Sequence, residues 1–325
     1  MTKLQIEHIT GALISAKTVL LTTHRNPDGD GLGSGCALME VLVNKGKKVD
    51  FVTRDRVSEV YSYLPHCNKI QNKKEVKRRY DAVVFLECPD QERCGGLIDI
   101  KKYAGVSINI DHHLGNEMYA DINVVDPKAA AVGMQLFEMF EGAGWKINEK
   151  MASGLYTAII TDTGSFAYSN TSPEVHMTAA KLLQYGAKPA AISSEVYSTT
   201  AQSTELLAMM LSKVKIEGKM AYSHITRAMI KKAGAEDSDT DNFINHIRAI
   251  RTIDIAMLFK EFAPSVIKVS FRSKRGHDVN SLARLFDGGG HKYASGCVIR
   301  KPLKDAVAEV IKAVKKSIKA EQKKK

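Results

Sequence analysis

Four apolar runs organise the first half of the chain: TVLLTTH (18–24), KKVDFVT (47–53), DAVVFLE (81–87) and VSINIDHH (106–113). The first, third and fourth stop abruptly at a histidine or an acid. Between the first two lies GLGSGCALMEVLVNKG (31–46), which reads as a helix closed by Gly46. Strand–helix–strand repetition of this kind builds a mostly parallel sheet with helices on its faces. In such an open α/β sheet, the carboxyl ends of the strands line one crevice, the usual place for a ligand.

The pattern changes after ADINVVDP (120–127). Helices are expected near 129–142, 149–160, 173–185 and 189–197, followed by a polar stretch, STTAQSTE (198–205), where a hinge is expected. Beyond it, MAYSHIT (220–226), DIAMLFKEF (254–262) and IKVSFRSK (267–274) read as strands, interleaved with helices near 227–234 and 241–250. A final helix over 302–320 aligns Val307, Val310, Ile311, Val314 and Ile318 on one stripe. The expectation is a mostly parallel N-terminal domain over 1–200 and a smaller α/β domain over 201–325 with a lysine-rich terminal helix. The active cleft is expected between them.

Composition removes several classes. No apolar run approaches the roughly 18 residues of a membrane span. The start, MTKLQIEHITGALISAKT, breaks its apolar positions with Glu7 and His8, so it reads as an amphipathic helix and not a secretory signal. Five cysteines without a CxxC pair argue against a disulfide framework or zinc ribbon and for a reducing cytoplasm. Net charge is +11, of which 304–325 supplies +5 through eight lysines against Asp305, Glu309 and Glu321. That tail reads as a solvated helix face. The balance says only that a phosphate-bearing substrate is welcome.

The strand ends carry the chemistry. THRNPDGDGLGSG (23–35) places His24, Asp28 and Asp30 after the first strand; the third run ends in Glu87, and the fourth in Asp111, His112 and His113. Asp162 follows an apolar helix end in AIITDTGSF (158–166). Each has a bland explanation. PDGDG is a good turn, Asp28 or Asp30 serves equally as a helix cap, and a lone histidine ends many strands. Packing does not predict their convergence. His112 and His113 point to opposite faces of an extended chain and cannot share one core, so one reads as a metal ligand and its neighbour as a substrate contact. Carboxylates mixed with imidazoles, without thiolates, suit Mn²⁺ or a similar borderline-hard divalent ion. Six ligands with one shared carboxylate suffice for two ions roughly 3.5–4 Å apart, the spacing used for attack at phosphorus.

Farther on, DGGGHKYASG (287–296) leaves backbone amides open to an anion, with His291 and Lys292 beside them. A glycine helix stop needs only one of Gly288, Gly289 and Gly290. FRSK places Arg272 and Ser273 at a strand end, and arginine suits bidentate phosphate contact.

Together, HxxPDxD, DHH and TDTGSF resemble the motifs of the DHH phosphoesterase superfamily, and FRSK…DVNSLARLFDGGGHKYASGC is similar to its DHH-associated C-terminal domain. The likeness runs over most of the chain and is nearest to the NrnA-like nanoRNases, which also act on adenosine 3′,5′-bisphosphate. It implies that His24, Asp28 and Glu87 hold one Mn²⁺ and that Asp30, Glu87, His112 and Asp162 hold a second, with Glu87 bridging. It further implies that Asp111 orients the histidine pair, His113 reaches the scissile phosphate, and Arg272, Ser273, Gly289, Gly290 and His291 bind the terminal nucleotide. The family places aspartate where this chain has Glu87, and Asp90 competes for that role. Arg93 is a further phosphate contact to weigh against a plain surface position. The implied activity is Mn²⁺-dependent hydrolysis of very short oligoribonucleotides to 5′-mononucleotides, together with 3′-dephosphorylation of adenosine 3′,5′-bisphosphate. Hydrolysis of linear or cyclic dinucleotides, or nucleotide or RNA binding with weakened catalysis, are the rival readings. Partners would be short RNA and nucleotide phosphates, with no membrane, and a homodimer is compatible with the chain.

Overall fold

A computed structural model describes residues 1–240, 242–274 and 276–322, apart from the side chains of Ser238, His291 and 319–322. The chain divides into two compact units, Met1–Ser198 and Thr199–Lys325.

The first unit is built on strands β1 (Thr18–Thr23), β2 (Lys48–Thr53), β3 (Gln71–Asn72), β4 (Tyr80–Leu86), β5 (Ala104–Asp111) and β6 (Ile122–Val125). Its helices are α1 (Lys3–Ser15), α2 (Gly29–Asn44), the one-turn α3 (Ile100–Tyr103), α4 (Val132–Gly142), α5 (Glu149–Asp162), α6 (Pro173–Gln184) and α7 (Pro189–Val196). All strand pairs are parallel, in the order β3-β2-β1-β4-β5-β6. Strands buried on both faces read as continuous apolar runs, as β1 and β4 do. Val19, Leu21, Val84, Leu86, Ile108 and Ile110 face the helices. Leu20, Val83 and Phe85 face the other way, under Val76, Cys88, Cys94, Leu97 and Ile98. That second face is roofed by chain running between β3 and β5 and not by long helices.

One pairing in this roof departs from the expectation drawn from cysteine count. Cys88 and Cys94 form a disulfide across a six-residue separation, with Cα atoms 6.2 Å apart. The turn at 87–96 brings them within bridging reach. The odd count and the lack of CxxC spacing could not reveal that proximity.

Strand order reverses between β1 and β4, the topological switch point at which open α/β sheets bind ligands. Three helices converge above it. An added Cβ on Gly33 of α2 would stand 2.3 Å from the Gly154 carbonyl oxygen of α5, and one on Gly133 of α4 would stand 2.5 Å from the Ala158 methyl. Backbone therefore touches backbone where α2 crosses α5. This contact sets the first turn of α2 beside the last turn of α5.

The second unit has strands β7 (Lys215–Glu217), β8 (Met220–Ile225), β9 (Ile255–Ala263), β10 (Val266–Ser273), β11 (Gly289–His291) and β12 (Ala294–Ile299). They lie in the order β11-β12-β10-β9-β8-β7, parallel only at β8–β9. Helices α8 (Ala201–Leu211), α9 (Arg227–Ala233) and α10 (Phe243–Arg248) cover Ala221, Ala256 and Leu258 on one face. Helices α11 (Val279–Arg284) and α12 (Leu303–Gln322) cover Val269 and Phe271 on the other, with Val310 and Val314 inserted from α12.

Because nothing near Gly33 can give way except backbone, Gly33→Ala is expected to overpack this crossing. Chemical denaturation should show a loss of roughly 1–3 kcal/mol. An unchanged midpoint would mean that the helices can separate freely.

Candidate metal centre

The loop after β1 turns into α2 at Asp28, which is at once the helix cap and a cluster member. Its Oδ1 accepts from the amides of Asp30 and Gly31, while Oδ2 lies 3.5 Å from His24 Nε2. One oxygen of this carboxylate thus caps the helix while the other faces the cluster. Asp30, fully buried, is held at the start of α4: the Val132 amide donates to Oδ2 at 2.6 Å and the Gly133 amide to Oδ1 at 3.0 Å. Ser34 Oγ donates to Oδ1 as well. A helix N-terminus favours an anion at this place.

Glu87 follows β4 with φ at +60°, a left-handed conformation uncommon for a residue with a side chain. That turn sends its carboxylate back over the strand ends. Oε2 lies 3.4 Å from His24 Nε2 and Oε1 3.9 Å from His112 Nε2. Oε2 is buried and makes no hydrogen bond among the described residues. A buried carboxylate oxygen whose nearest donor is an imidazole nitrogen 3.4 Å away is poorly satisfied; a cation in reach would remove that cost. Room for the side chain comes from Gly31, where an added Cβ would stand 3.1 Å from Glu87 Oε2 and 2.1 Å from Thr23 Oγ1. Asp90, the competing candidate, instead accepts from the Arg93 amide in a surface turn.

His24 and His112 are oriented alike. Each turns Nδ1 to a backbone carbonyl, of Arg25 and Ala129 respectively, and presents Nε2 to the acids. His112 Nε2 lies 3.2 Å from Asp162 Oδ2 and 3.8 Å from Asp30 Oδ2. Carbonyl-anchored imidazoles with the opposite nitrogen facing acids are the arrangement by which proteins fix a metal-binding histidine. Ligand atoms of His24, Asp28 and Glu87 form one group, and those of Asp30, Glu87, His112 and Asp162 form another, each within 4.8 Å. Glu87 belongs to both. The donor set is oxygen and imidazole throughout, which fits divalent cations of the borderline-hard kind.

The electrostatics agree. Burial, with the nearby Glu87 charge, pushes Asp30 up to about 7, and burial with Asp30 and Glu87 raises Asp162 well above the carboxylate range. Burial alone would raise Glu87 and lower the histidines. The mutual attraction of imidazole and carboxylate overrides it, holding Glu87 low, His24 up at about 11 and His112 at about 10.

Beside the cluster, Asp111 is buried and locks the residues after it. Its Oδ1 accepts from His113 Nδ1 at 2.8 Å and from the His112 amide at 2.8 Å, and its Oδ2 accepts from Asn116 Nδ2 at 2.6 Å. Burial would lift this carboxyl, but the bonds from His113 and Asn116 keep it below its usual range. A group of Glu87, His112 and His113 is also within ligand reach. Sequence reasoning missed Asn116, Gly31 and Ser34. The signal available was four glycines in one helix, Gly29 to Gly35, each costing about 1 kcal/mol against alanine.

The residues singled out in the second unit are placed differently from expectation. Gly289 and Gly290 belong to β11, paired with Gly296 and Ser295 of β12, so the glycine segment is an edge hairpin and not an open loop. Glycine hides a strand because it carries no strand propensity. Here it is required because a Cβ on Gly288 would stand 2.3 Å from the Gly296 carbonyl. Ser273 is buried, and its hydroxyl donates to the His277 carbonyl, a bond that closes the turn after β10. Arg272 lies next to it on β10, and one of its terminal guanidinium nitrogens donates to the Phe271 carbonyl. The His291 side chain lies outside the described residues.

A parallel sheet with acids and histidines gathered at its switch point, followed by a second α/β unit, defines a DHH-type phosphoesterase, and the chain belongs to the DHH family. The DHH family N-terminal domain matches residues 18–159 and the DHHA1 domain matches 217–320. More particularly, the bifunctional oligoribonuclease and PAP phosphatase NrnA of Thermus thermophilus is 30% identical over 303 residues, covering 92% of this chain and 90% of that protein. The NrnA of Bacillus subtilis is 30% identical over 290 residues, covering 87% and 89%. Among solved structures, an exopolyphosphatase-related protein from Bacteroides fragilis shares the fold with a TM-score of 0.90 at 24% identity, covering 98% of this chain and 96% of that one.

Ligands bind deprotonated, so cation binding must expel the protons that His24, His112 and Asp30 hold. Affinity for a divalent cation is therefore expected to rise steeply from pH 6 to pH 8. Calorimetry in buffers of different ionisation enthalpy should show net proton release. Binding indifferent to both pH and buffer would contradict this account of the site.

Proposed function

We propose that this hydrolase acts on very short oligoribonucleotides, releasing 5′-mononucleotides, and that it also removes the 3′-phosphate of adenosine 3′,5′-bisphosphate. The NrnA relatives from Thermus thermophilus and Bacillus subtilis, each 30% identical over nearly the whole chain, are an oligoribonuclease and PAP phosphatase in one protein. The observation that carries the reading is Glu87, whose two oxygens face two separate ligand groups. We assign one Mn²⁺ to His24, Asp28 and Glu87 and a second to Asp30, Glu87, His112 and Asp162. Divalent ions bound there supply Lewis-acid charge at a scissile phosphate and a nucleophile at neutral pH.

The remaining work belongs to the chain itself. Asp30 stays fixed by the α4 amides, so its carboxylate does not move when charge changes beside it. Asp111 grips His113 through Nδ1 and so sets the direction of Nε2, the nitrogen available to a substrate oxygen. Asn116 fixes Asp111 in turn and ties the loop to Cys88 of the roof and to Asn109 of β5. In the second unit, Arg272 and the hairpin of Gly289, Gly290 and His291 are assigned to the nucleotide held at the scissile end. Ser273 supports that hairpin's neighbouring turn.

A direct test supplies diribonucleotide, a twenty-mer, adenosine 3′,5′-bisphosphate and a cyclic dinucleotide in parallel, with Mn²⁺ and with chelator. Rapid Mn²⁺-dependent release of mononucleotide from the shortest RNA, and little from the twenty-mer, is expected. Equal rates on both lengths, or turnover undiminished by chelator, would refute the assignment. Replacing His113 with alanine should lower kcat by roughly a hundredfold or more while leaving metal affinity near wild type. Asp30→Ala is a poor probe because it strands two buried amides, at about 1–3 kcal/mol each. Asp30→Asn keeps one of the two acceptors and leaves one amide unpaired instead of two, so it is expected to lose activity at a smaller cost in stability, as chemical denaturation will read.

A further inference from the structure

The acids of the cluster are not all held in the same way. Backbone amides donate to the carboxylates of Asp28 and Asp30. Among the described residues no amide donates to the Asp162 carboxylate, whose Oδ2 lies 3.2 Å from His112 Nε2. Asp162 is the last residue of α5, and the final carbonyls of a helix have no partner within it. Whatever fixes the end of this helix therefore fixes the acid.

One side chain supplies the missing donor. Asn170 Nδ2 donates to the Asp162 carbonyl at 3.1 Å and to the Ala130 carbonyl at 3.3 Å. Both neighbours are acceptors, so only the amide nitrogen can face them, and its two hydrogens serve one carbonyl each. The bond to Ala130 leads into the segment that holds other members of the same group. His112 Nδ1 lies against the Ala129 carbonyl at 3.1 Å, and the amides of Val132 and Gly133 donate to Asp30. Ala130, Ala131 and Val132 are buried, so this segment is a firm support. It bears on His112, on Asp30 and, through Asn170, on Asp162, which share one ligand group with Glu87. His24 and Asp28, which belong to the other group, make no bond to it among the described residues.

Backbone strain marks the path that brings Asn170 to this place. After α5, the successive residues Gly164, Ser165 and Phe166 have φ at +54°, +57° and +67°. For serine and phenylalanine that left-handed conformation is costly and persists only where the surroundings enforce it. Here Phe166 stacks on His176 with ring centroids 5.1 Å apart and meets Tyr156 edge-on. Ser165 Oγ donates to the Tyr197 hydroxyl, and the amides of Ala167 and Tyr168 both donate to the Thr163 carbonyl. The reversal returns the chain to the end of α5 eight residues after Asp162.

We propose that Asn170 is a positioning residue for one of the two cations: it ties Asp162 to the segment that also holds Asp30 and His112, so that these three ligands keep a fixed spacing. The inference rests on the two-cation assignment above and names a residue outside the ligand set on which one ion depends and the other does not. Asn170 bonds only to backbone carbonyls, so a change at 170 removes no ligand.

The test uses the full-length protein with Asn170→Ala and, separately, Asn170→Asp. The position is exposed, and truncation there leaves the core intact. Aspartate keeps the size and turn preference of asparagine but sets acceptors against two carbonyls, while its negative charge by itself favours a nearby cation. Calorimetric titration with Mn²⁺ should show, in both variants, one ion bound about tenfold or more weakly and the other within about twofold of wild type. At two equivalents of Mn²⁺ the spin-coupled resonance signal should be diminished in both. Unchanged affinities in either variant, or an equal loss for both ions, overturn the proposal. If wild type binds a single ion, the two-cation assignment fails, and the tether is read on that ion alone. A tenfold loss in both variants then supports it, and an unchanged affinity overturns it. Absence of Mn²⁺ binding by wild type overturns both.

Discussion

Backbone contact between α2 and α5, made possible by Gly33 and Gly154, is the constraint on which the site depends. It puts the first turn of one helix, with Asp28 and Asp30, beside the last residue of the other, Asp162. The sheet contributes the rest. β1 and β4 meet at the switch point, so the residues just past their ends, His24 and Glu87, arrive next to each other without further instruction. β5, the neighbour of β4, delivers Asp111, His112 and His113. A larger residue at 33 or 154 would move two acids away from the rest of the cluster at once.

Concentrating four carboxylates at one place has an energetic consequence. Buried like charges raise one another's pKa, as at Asp30 and Asp162. The fold tolerates this because each acid has a structural anchor: backbone amides for Asp28 and Asp30, a helix terminus for Asp162, and a left-handed turn for Glu87. Anchored acids cannot relax away from each other, so the favourable way to relieve the repulsion is to admit positive charge. The glutamate at 87 fits the same logic. Its long side chain is accommodated by the missing side chain at Gly31 and by backbone that turns the carboxylate toward both histidines.

Much of this is legible in the primary structure, for identifiable reasons. Strands such as 81–87 and helices such as 173–185 announce themselves through apolar runs and periodicity, and the structure places them at Tyr80–Leu86 and Pro173–Gln184. Convergence at strand ends follows from parallel topology alone, which is why His24, Glu87 and His112 group together without any knowledge of geometry. Other features depend on contacts that spacing does not encode. The bridge between Cys88 and Cys94 requires knowing the path of the roof over the sheet. The hairpin at Gly289–His291 is invisible to propensity because glycine favours no strand, yet only glycine lets the two backbones approach. Asp28 does not resolve into cap or ligand from its position because its two oxygens do different things.

The central claim is that one glutamate serves two cation sites, and counting ions tests it most directly. Titration of the metal-free protein with Mn²⁺, followed by electron paramagnetic resonance and by equilibrium dialysis, should reach two ions per chain with a spin-coupled signal. The Glu87→Gln variant, folded as judged by circular dichroism, should lose the coupled signal and bind no more than one ion tightly. Two tightly bound, coupled ions in that variant, or a single uncoupled ion in the wild type, would contradict the account.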